Sequence, residues 1–339
     1  MSEKVDFLNL NQIYYPGTQI KGLCKVTVND NMHIKALSLA LTGTQFVEFT
    51  TQHKNELTNR QEEKRYVQRE IICNNDMTIW GDSQRGLLSQ TSVLPIGIYE
   101  YEFSFSLPDT TMPSSITMKN GYNKYQVELR IHRRMELDSI YTKEIKLCDK
   151  YELTKELLMP MTQEQMKSIC CLWCTGGVIQ MECQLNKSGF NPGEQPQIEL
   201  TISNYSARDI NQLSINLIRQ SAYTAALETM TAEDVLCSSI QDLIIPAHSG
   251  EFRTLSFQLP SIPSESVPVF KSKLIEIKYF ISVKVGISWA CDSLFIFRNI
   301  QIGGPHTVHS SYYMQQSWPL PVQVHLKAVK DALPRYEDL

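Results

Sequence analysis

Residues Ile98–Pro108 read "IYEYEFSFSLP". Tyr99, Tyr101, Phe103, Phe105 and Leu107 alternate with Glu100, Glu102, Ser104 and Ser106, so successive side chains fall on opposite faces. A period of two is that of a half-buried β-strand. The same alternation runs through "YQVELRIH" (Tyr125, Val127, Leu129, Ile131), "QIELTIS" (Ile198, Leu200, Ile202), "QLSINLI" (Leu213, Ile215, Leu217) and "LIEIKYFISVKV" (Ile275 to Val285). Gly, Pro, Asn and Ser clusters separate these segments where helices would stand in a βαβ chain. That pattern predicts antiparallel β-sandwiches. The best helical stretch, "ELTKELLMPMTQEQMKS", contains Pro160, which removes a backbone donor and breaks the helix. It is expected to act as a connector.

Composition narrows the function classes. The 339 residues are 42% hydrophobic and 20% charged, the balance of a globular protein of about two domains. A net charge of −4 provides no broad positive field for a phosphate backbone, so no nucleic acid partner is expected. The amino terminus "MSEKVDFLNL" lacks the apolar run of a signal peptide, and no stretch is long enough to span a bilayer. Nine dispersed cysteines suit a reducing compartment, and the expected location is cytoplasmic. Asn186-Lys187-Ser188 and Asn204-Tyr205-Ser206 then read as polar turns.

The chain also resembles itself. "YYPGTQIKGLCKVTV" (Tyr14–Val28) and "GFNPGEQPQIELTIS" (Gly189–Ser203) each run aromatic residue, Pro-Gly turn, alternating strand. "SLPDTTMPSSI" near Leu107 likewise parallels "QLPSIPSESV" near Leu259, and the strands around Tyr125 and Tyr279 follow. Duplication implies two tandem sandwiches. The first copy is longer, and the polar segment 51–70 is expected to hold the surplus as a hairpin excursion or surface loop. The expected organisation is a first sandwich over 1–152, a connector over 153–169, a second sandwich over 170–305 and a flexible tail over 306–339.

Chemistry-bearing motifs are few. No G-x-S-x-G, G-x-x-x-x-G-K-[ST], G-x-G-x-x-G or H-E-x-x-H string occurs, so no catalytic or cofactor-binding residue is assigned. "CCLWC" places Cys170, Cys171 and Cys174 together, with Cys183 after them. Cys-x-x-Cys suits zinc or redox chemistry, but no second ligand pair accompanies it, and buried packing is the preferred reading. His306 and His309 have ligand-like spacing without a carboxylate or thiol nearby. Arg133 and Arg134 in "IHRR" could contact a phosphate or anionic headgroup, or serve as the solvated end of an edge strand.

Taken in order, "YYPGTQIKG", "LPIGIYEYEFSFSLP", "MPSSI" and "YQVELRIHR", then "CCLWCTGGVIQMECQLNKSGFNPGE", "ISNYSARDI", "LPSIP", "IEIKYFISVKV" and "IQIGGP", resemble the arrestin domain-containing proteins of the α-arrestin family. The resemblance covers roughly Val5 to Pro305. It implies the arrestin fold and a non-catalytic adaptor, without cofactor or metal. Such adaptors hold cytoplasmic tails of membrane receptors or transporters and recruit HECT-type ubiquitin ligases for endocytosis and sorting. Membrane association would be peripheral, at the plasma membrane or endosomes.

The resemblance also gives the terminal "LPRYEDL" a use. Family tails carry P-P-x-Y peptides that dock as polyproline II segments in WW domains. Pro334 and Tyr336 match the second Pro and the Tyr, while Leu333 stands in place of the first Pro. Tyr336 to Leu339 also fits Y-x-x-Φ, the form read by clathrin adaptors. Two rival expectations remain: a retromer-type coat subunit, and a thioredoxin-binding regulator acting through an exposed thiol such as Cys237, for which no residue-level match exists.

Overall fold

The computed structural model describes residues 3–11, 13–54, 61–81, 92–110, 112–133, 137–149, 151–168, 177–249, 253–262, 266–268, 270–287 and 293–303. Its first half contributes β1 (Glu3–Leu8), β2 (Ile13–Tyr14), β3 (Gln19–Val28), β4 (Met32–Lys54), β5 (Gln61–Gly81), β6 (Ser92–Leu94), β7 (Gly97–Ser106), β8 (Ile116–Met118), β9 (Gly121–Arg133) and β10 (Ser139–Leu147). The second contributes β11 (Met161–Ser168), β12 (Val178–Leu185), β13 (Gly189–Phe190), β14 (Gln197–Asn204), β15 (Ile210–Ala225), β16 (Glu228–Ile245), β17 (Arg253–Gln258), β18 (Phe270–Lys271), β19 (Ile275–Ile287) and β20 (Ser293–Ile302).

Each half builds a small sheet and a large one. β1-β3-β7 accompanies β2-β10-β9-β4-β5, and β11-β12-β14-β17 accompanies β13-β20-β19-β15-β16. The described pairings are antiparallel except for the two-residue parallel pairs β2–β10 and β13–β20. The result is the tandem β-sandwich expected from the alternation. In the opening stretch, Phe103, Phe105 and Leu107 are buried in the first core, and Tyr99 and Tyr101 pack against it. Their partners across that core include Leu37, Leu39 and Leu41 of β4 and Val127 and Leu129 of β9. Burying side chains of this size contributes roughly 1.5–3 kcal/mol each. The chain forms two compact units, the first comprising 1–150 with Ser221–Ala232 and Phe270–Ile277, the second the remainder.

The duplication is visible in hydrogen bonds. Gly17 (φ +75°) donates its N–H to Pro108 O at 3.0 Å, and Gly193 (φ +88°) donates to Ile262 O at 2.8 Å. Positive φ after Pro is the conformation of a type II turn, which glycine adopts without a Cβ clash. The Tyr125 hydroxyl donates to Pro113 O at 2.7 Å, and the Tyr279 hydroxyl to Val267 O at 3.0 Å. In both halves a buried tyrosine thus ties the preceding loop to the core.

One segment differs in detail from the sequence expectation. Within 153–169, only Glu156–Leu158 turns, as a single 3₁₀ turn. Past Pro160 the chain becomes β11, paired with β12 from Met161↔Leu185 to Ser168↔Val178. The connector is therefore half strand: once proline ends the turn, the distant β12 supplies the hydrogen-bond partners that a local helical stripe could not reveal. The 51–70 excursion is a hairpin in which β4 and β5 pair from Ala36↔Gly81 to Lys54↔Gln61, with 55–60 outside the described residues.

Tyr125→Phe and Tyr279→Phe are each expected to lower unfolding stability by about 1–3 kcal/mol, because a carbonyl loses its donor while the apolar ring is kept. Urea unfolding of each variant against wild type measures it.

Candidate interaction surfaces

The large sheets end on long hairpin strands, β5 in the first half and β16 in the second. An edge strand presents unpaired backbone donors and acceptors, which natural sheets guard with Lys, Arg, Pro or bulges. β5 carries Lys64, Arg65 and Arg69 among Glu62, Glu63 and Glu70, and two register shifts interrupt its pairing with β4. β16, "ETMTAEDVLCSSIQDLII", contains no Lys, Arg or Pro in 18 residues. Val235 (60% exposed), Ile240 (65%) and Ile244 (71%) stand open on it. Its four acids are Glu228, Glu233, Asp234 and Asp242. Arg219 Nη2 meets Asp234 at 2.9 Å and Gln220 donates to Glu233 at 3.0 Å, both from β15. An extended basic segment can add to such an edge, whereas a second copy would set acid against acid.

Arg133 lies at the end of β9, where its Nη2 pairs with Glu3 Oε1 at 2.8 Å and its Nε donates to Ser139 Oγ at 3.4 Å. The Tyr141 hydroxyl donates to the same Glu3 oxygen at 3.2 Å. Burial, then the Glu3 charge, pushes the Tyr141 hydroxyl pKa up. Glu3 is 6% exposed and shares the inward face of β1 with Val5 and Phe7. The guanidinium expected to meet an external anion is therefore engaged by an internal carboxylate. Sequence reading had a signal for this in the alternation Glu3, Val5, Phe7, which puts an acid on a core face. Arg134 lies outside the described residues.

The described cysteines Cys24, Cys73, Cys148, Cys183 and Cys237 are free thiols. Burial pushes Cys24 up to about 12 and Cys73 and Cys183 up to about 11. Burial also raises Cys237, whose Sγ lies 4.0 Å from Pro260 O. Raised values disfavour the attacking thiolate. Cys170, Cys171, Cys174, His306, His309, Leu333, Pro334, Tyr336 and Leu339 lie outside the described residues. Among the described residues, no group of three His, Cys, Asp or Glu side chains could hold a metal ion. No helix there is long and apolar enough to cross a membrane, which does not bear on β-barrels.

An open depression of about 580 Å³ borders β3, β5 and β7. It sets Lys21 and Glu102 beside Met77 and Phe103. Its lining suits a mixed polar and apolar contact.

Comparison with known proteins agrees with this architecture. The family described as "Arrestin (or S-antigen), N-terminal domain" matches residues 4–154, and "Arrestin (or S-antigen), C-terminal domain" matches 175–307. Arrestin domain-containing protein 5 of Bos taurus is 24% identical over 293 residues, covering 83% of this chain and 85% of that protein. Thioredoxin-interacting protein of Sus scrofa is 22% identical over 288 residues, covering 84% and 70%. Arrestin domain-containing protein 4 of Mus musculus is 23% identical over 257 residues, covering 73% and 60%. With two sandwiches, a duplicated turn-and-tyrosine framework and both domain families matched in order, the chain belongs to the α-arrestin family of arrestin domain-containing proteins.

Proposed function

We propose that this arrestin-like adaptor holds membrane cargo on one surface and a HECT-type ubiquitin ligase on its carboxy-terminal segment, directing the cargo to endocytosis and sorting. The cargo arm rests on one observation, the unguarded acidic edge of β16. Cytoplasmic segments of membrane proteins are enriched in Lys and Arg near the bilayer. A basic, extended cargo tail would pair with the β16 backbone, set a cation against Asp242, and lay apolar side chains on Ile240 and Ile244. The function is carried by binding. Recruitment of the protein from the cytoplasm to plasma membrane or endosomes would follow from cargo, with Arg134 the remaining candidate for an anionic headgroup while Glu3 holds Arg133.

The ligase arm rests on Pro334 and Tyr336, with Leu333 at the position of the first proline. One imperfect peptide binds a single WW domain weakly, and tandem WW domains raise the effective concentration of the second contact. Tyr336 and Leu339 can alternatively serve a clathrin adaptor, and the two uses exclude each other on one tyrosine.

Tandem WW domains of a HECT-type ligase are expected to capture wild type and to lose Tyr336→Ala and a truncation ending at Pro305. Equal capture of all three removes the ligase arm. Loss on Leu339→Ala with capture by an adaptor subunit in place of WW domains assigns the peptide to the clathrin pathway. Independently, Ile240→Lys with Ile244→Lys is expected to weaken binding of a basic receptor-tail peptide at least about tenfold, or about 1.4 kcal/mol, while WW capture stays unchanged. Fluorescence anisotropy measures the peptide, and unchanged affinity excludes the β16 edge.

A further inference from the structure

The outer face of the larger first-half sheet carries a polar relay that the adaptor reading does not use. Ser38 Oγ lies 2.8 Å from His132 Nε2, and His132 Nδ1 lies 3.1 Å from Asp138 Oδ2. The other carboxylate oxygen, Asp138 Oδ1, accepts the Arg133 backbone N–H at 3.2 Å, which fixes the carboxylate. A carboxylate only accepts, so the proton of a neutral imidazole sits on Nδ1 and leaves Nε2 to accept from the Ser38 hydroxyl. Nucleophile, base and orienting acid thus stand in order, a constellation recognised by geometry and not by chain position.

Strand pairing explains how residues 94 apart in sequence meet. Ser38 faces Arg130 directly across β4–β9, and Ala36 faces His132. The register shifts between Ile34 and Ala36 against β9, and between Leu37 and Ser38 against β5. Over Ala36 to Ser38 the β4–β9 pairing is regular, so Ser38 and His132 are diagonal neighbours on one face, within side-chain reach. His132 (27% exposed) and Asp138 (33%) are open enough for a small substrate.

Arg130, beside Ser38, supplies the remaining element. Its Nη2 is held by Glu128 Oε1 at 2.7 Å, while its Nε is buried without a hydrogen-bond partner. The Arg130 side chain is 41% exposed as a whole, and a fixed cation next to the nucleophile suits a developing oxyanion. Ile140, 51% exposed, faces Arg130 from β10 and offers an apolar rest for an acyl chain.

The geometry points to Ser38 and His132 as catalytic residues for hydrolysis of small, unhindered carboxylic esters, with Asp138 as a positioning residue and Arg130 as the oxyanion partner. The Ser38 Oγ attacks the ester carbonyl and gives its proton to His132 Nε2. Collapse of the tetrahedral adduct breaks the C–O bond of the leaving alkoxide, which takes that proton and departs as the alcohol. Water then gives a proton to His132 and adds to the acyl carbon, and cleavage of the acyl bond returns the proton to Ser38 and releases the carboxylic acid.

When the full chain is treated with a fluorophosphonate, Ser38 Oγ is expected to displace fluoride from the reagent's phosphorus and retain the organophosphoryl group, located by peptide mass spectrometry. With p-nitrophenyl acetate, Ser38→Ala and His132→Gln are expected to lower kcat about 100-fold or more, the scale of a positioned base. Asp138→Asn should lower kcat at constant KM, with its thermal transition measured alongside. Wild-type protein unmodified at Ser38, hydrolysis unchanged in Ser38→Ala, or Ser38 labelled at the same rate in His132→Gln would each overturn the assignment and leave the relay as a structural hydrogen-bond chain. Cargo and WW capture by the same variants reports separately on the adaptor function.

Discussion

Each sandwich is closed by a buried phenol. Tyr125 and Tyr279 lie in the cores and donate their hydroxyls to carbonyls in the loops that precede them, at Pro113 and Val267. Burial raises both phenols well above their ordinary range, Tyr279 to about 12, so they remain neutral donors at physiological pH. The same loops receive the Pro-Gly turn N–H groups through Pro108 and Ile262. A loop tied at both ends fixes where the next strand starts, and in a sheet a slip of one residue would turn every core side chain outward. The outer faces and edges inherit their side-chain order from that register.

The two halves depart from this shared plan at the edges of their large sheets. Both large sheets end on long hairpin strands, yet β5 is lined with Lys64, Arg65 and Arg69 while β16 has no basic residue and exposes Ile240 and Ile244. A bare edge invites strand addition, and charge decides the partner: four acids disfavour self-pairing and favour a basic segment. The Ser38 relay depends on the β4–β9 register, which makes Ser38 and His132 diagonal neighbours on one sheet face and brings their side chains within 2.8 Å.

The candidate surfaces were legible to different extents. Pro334 and Tyr336, outside the described residues, can be proposed from sequence alone because a peptide motif is local. Arg133 was visible as a charge in "IHRR", but its destination was not: the Glu3 carboxylate lies 130 residues away on another strand. His132 sits in the same four letters, but its partners Ser38 and Asp138 lie on another strand and beyond the end of β9. Cys237 and its fellow thiols were counted correctly, but only burial shows that they are held protonated.

By itself the sequence determined the class of fold and its duplication. Alternating apolar residues and Pro-Gly turns are set by neighbours one or two positions away, and two copies in the same order imply two sandwiches. Tertiary structure decided that 161–168 is a strand, that Arg133 is neutralised from within, and that Ser38 meets His132. Each of these depends on which distant strand lies alongside and in what register, and pairing across a sheet leaves no periodic trace in the chain.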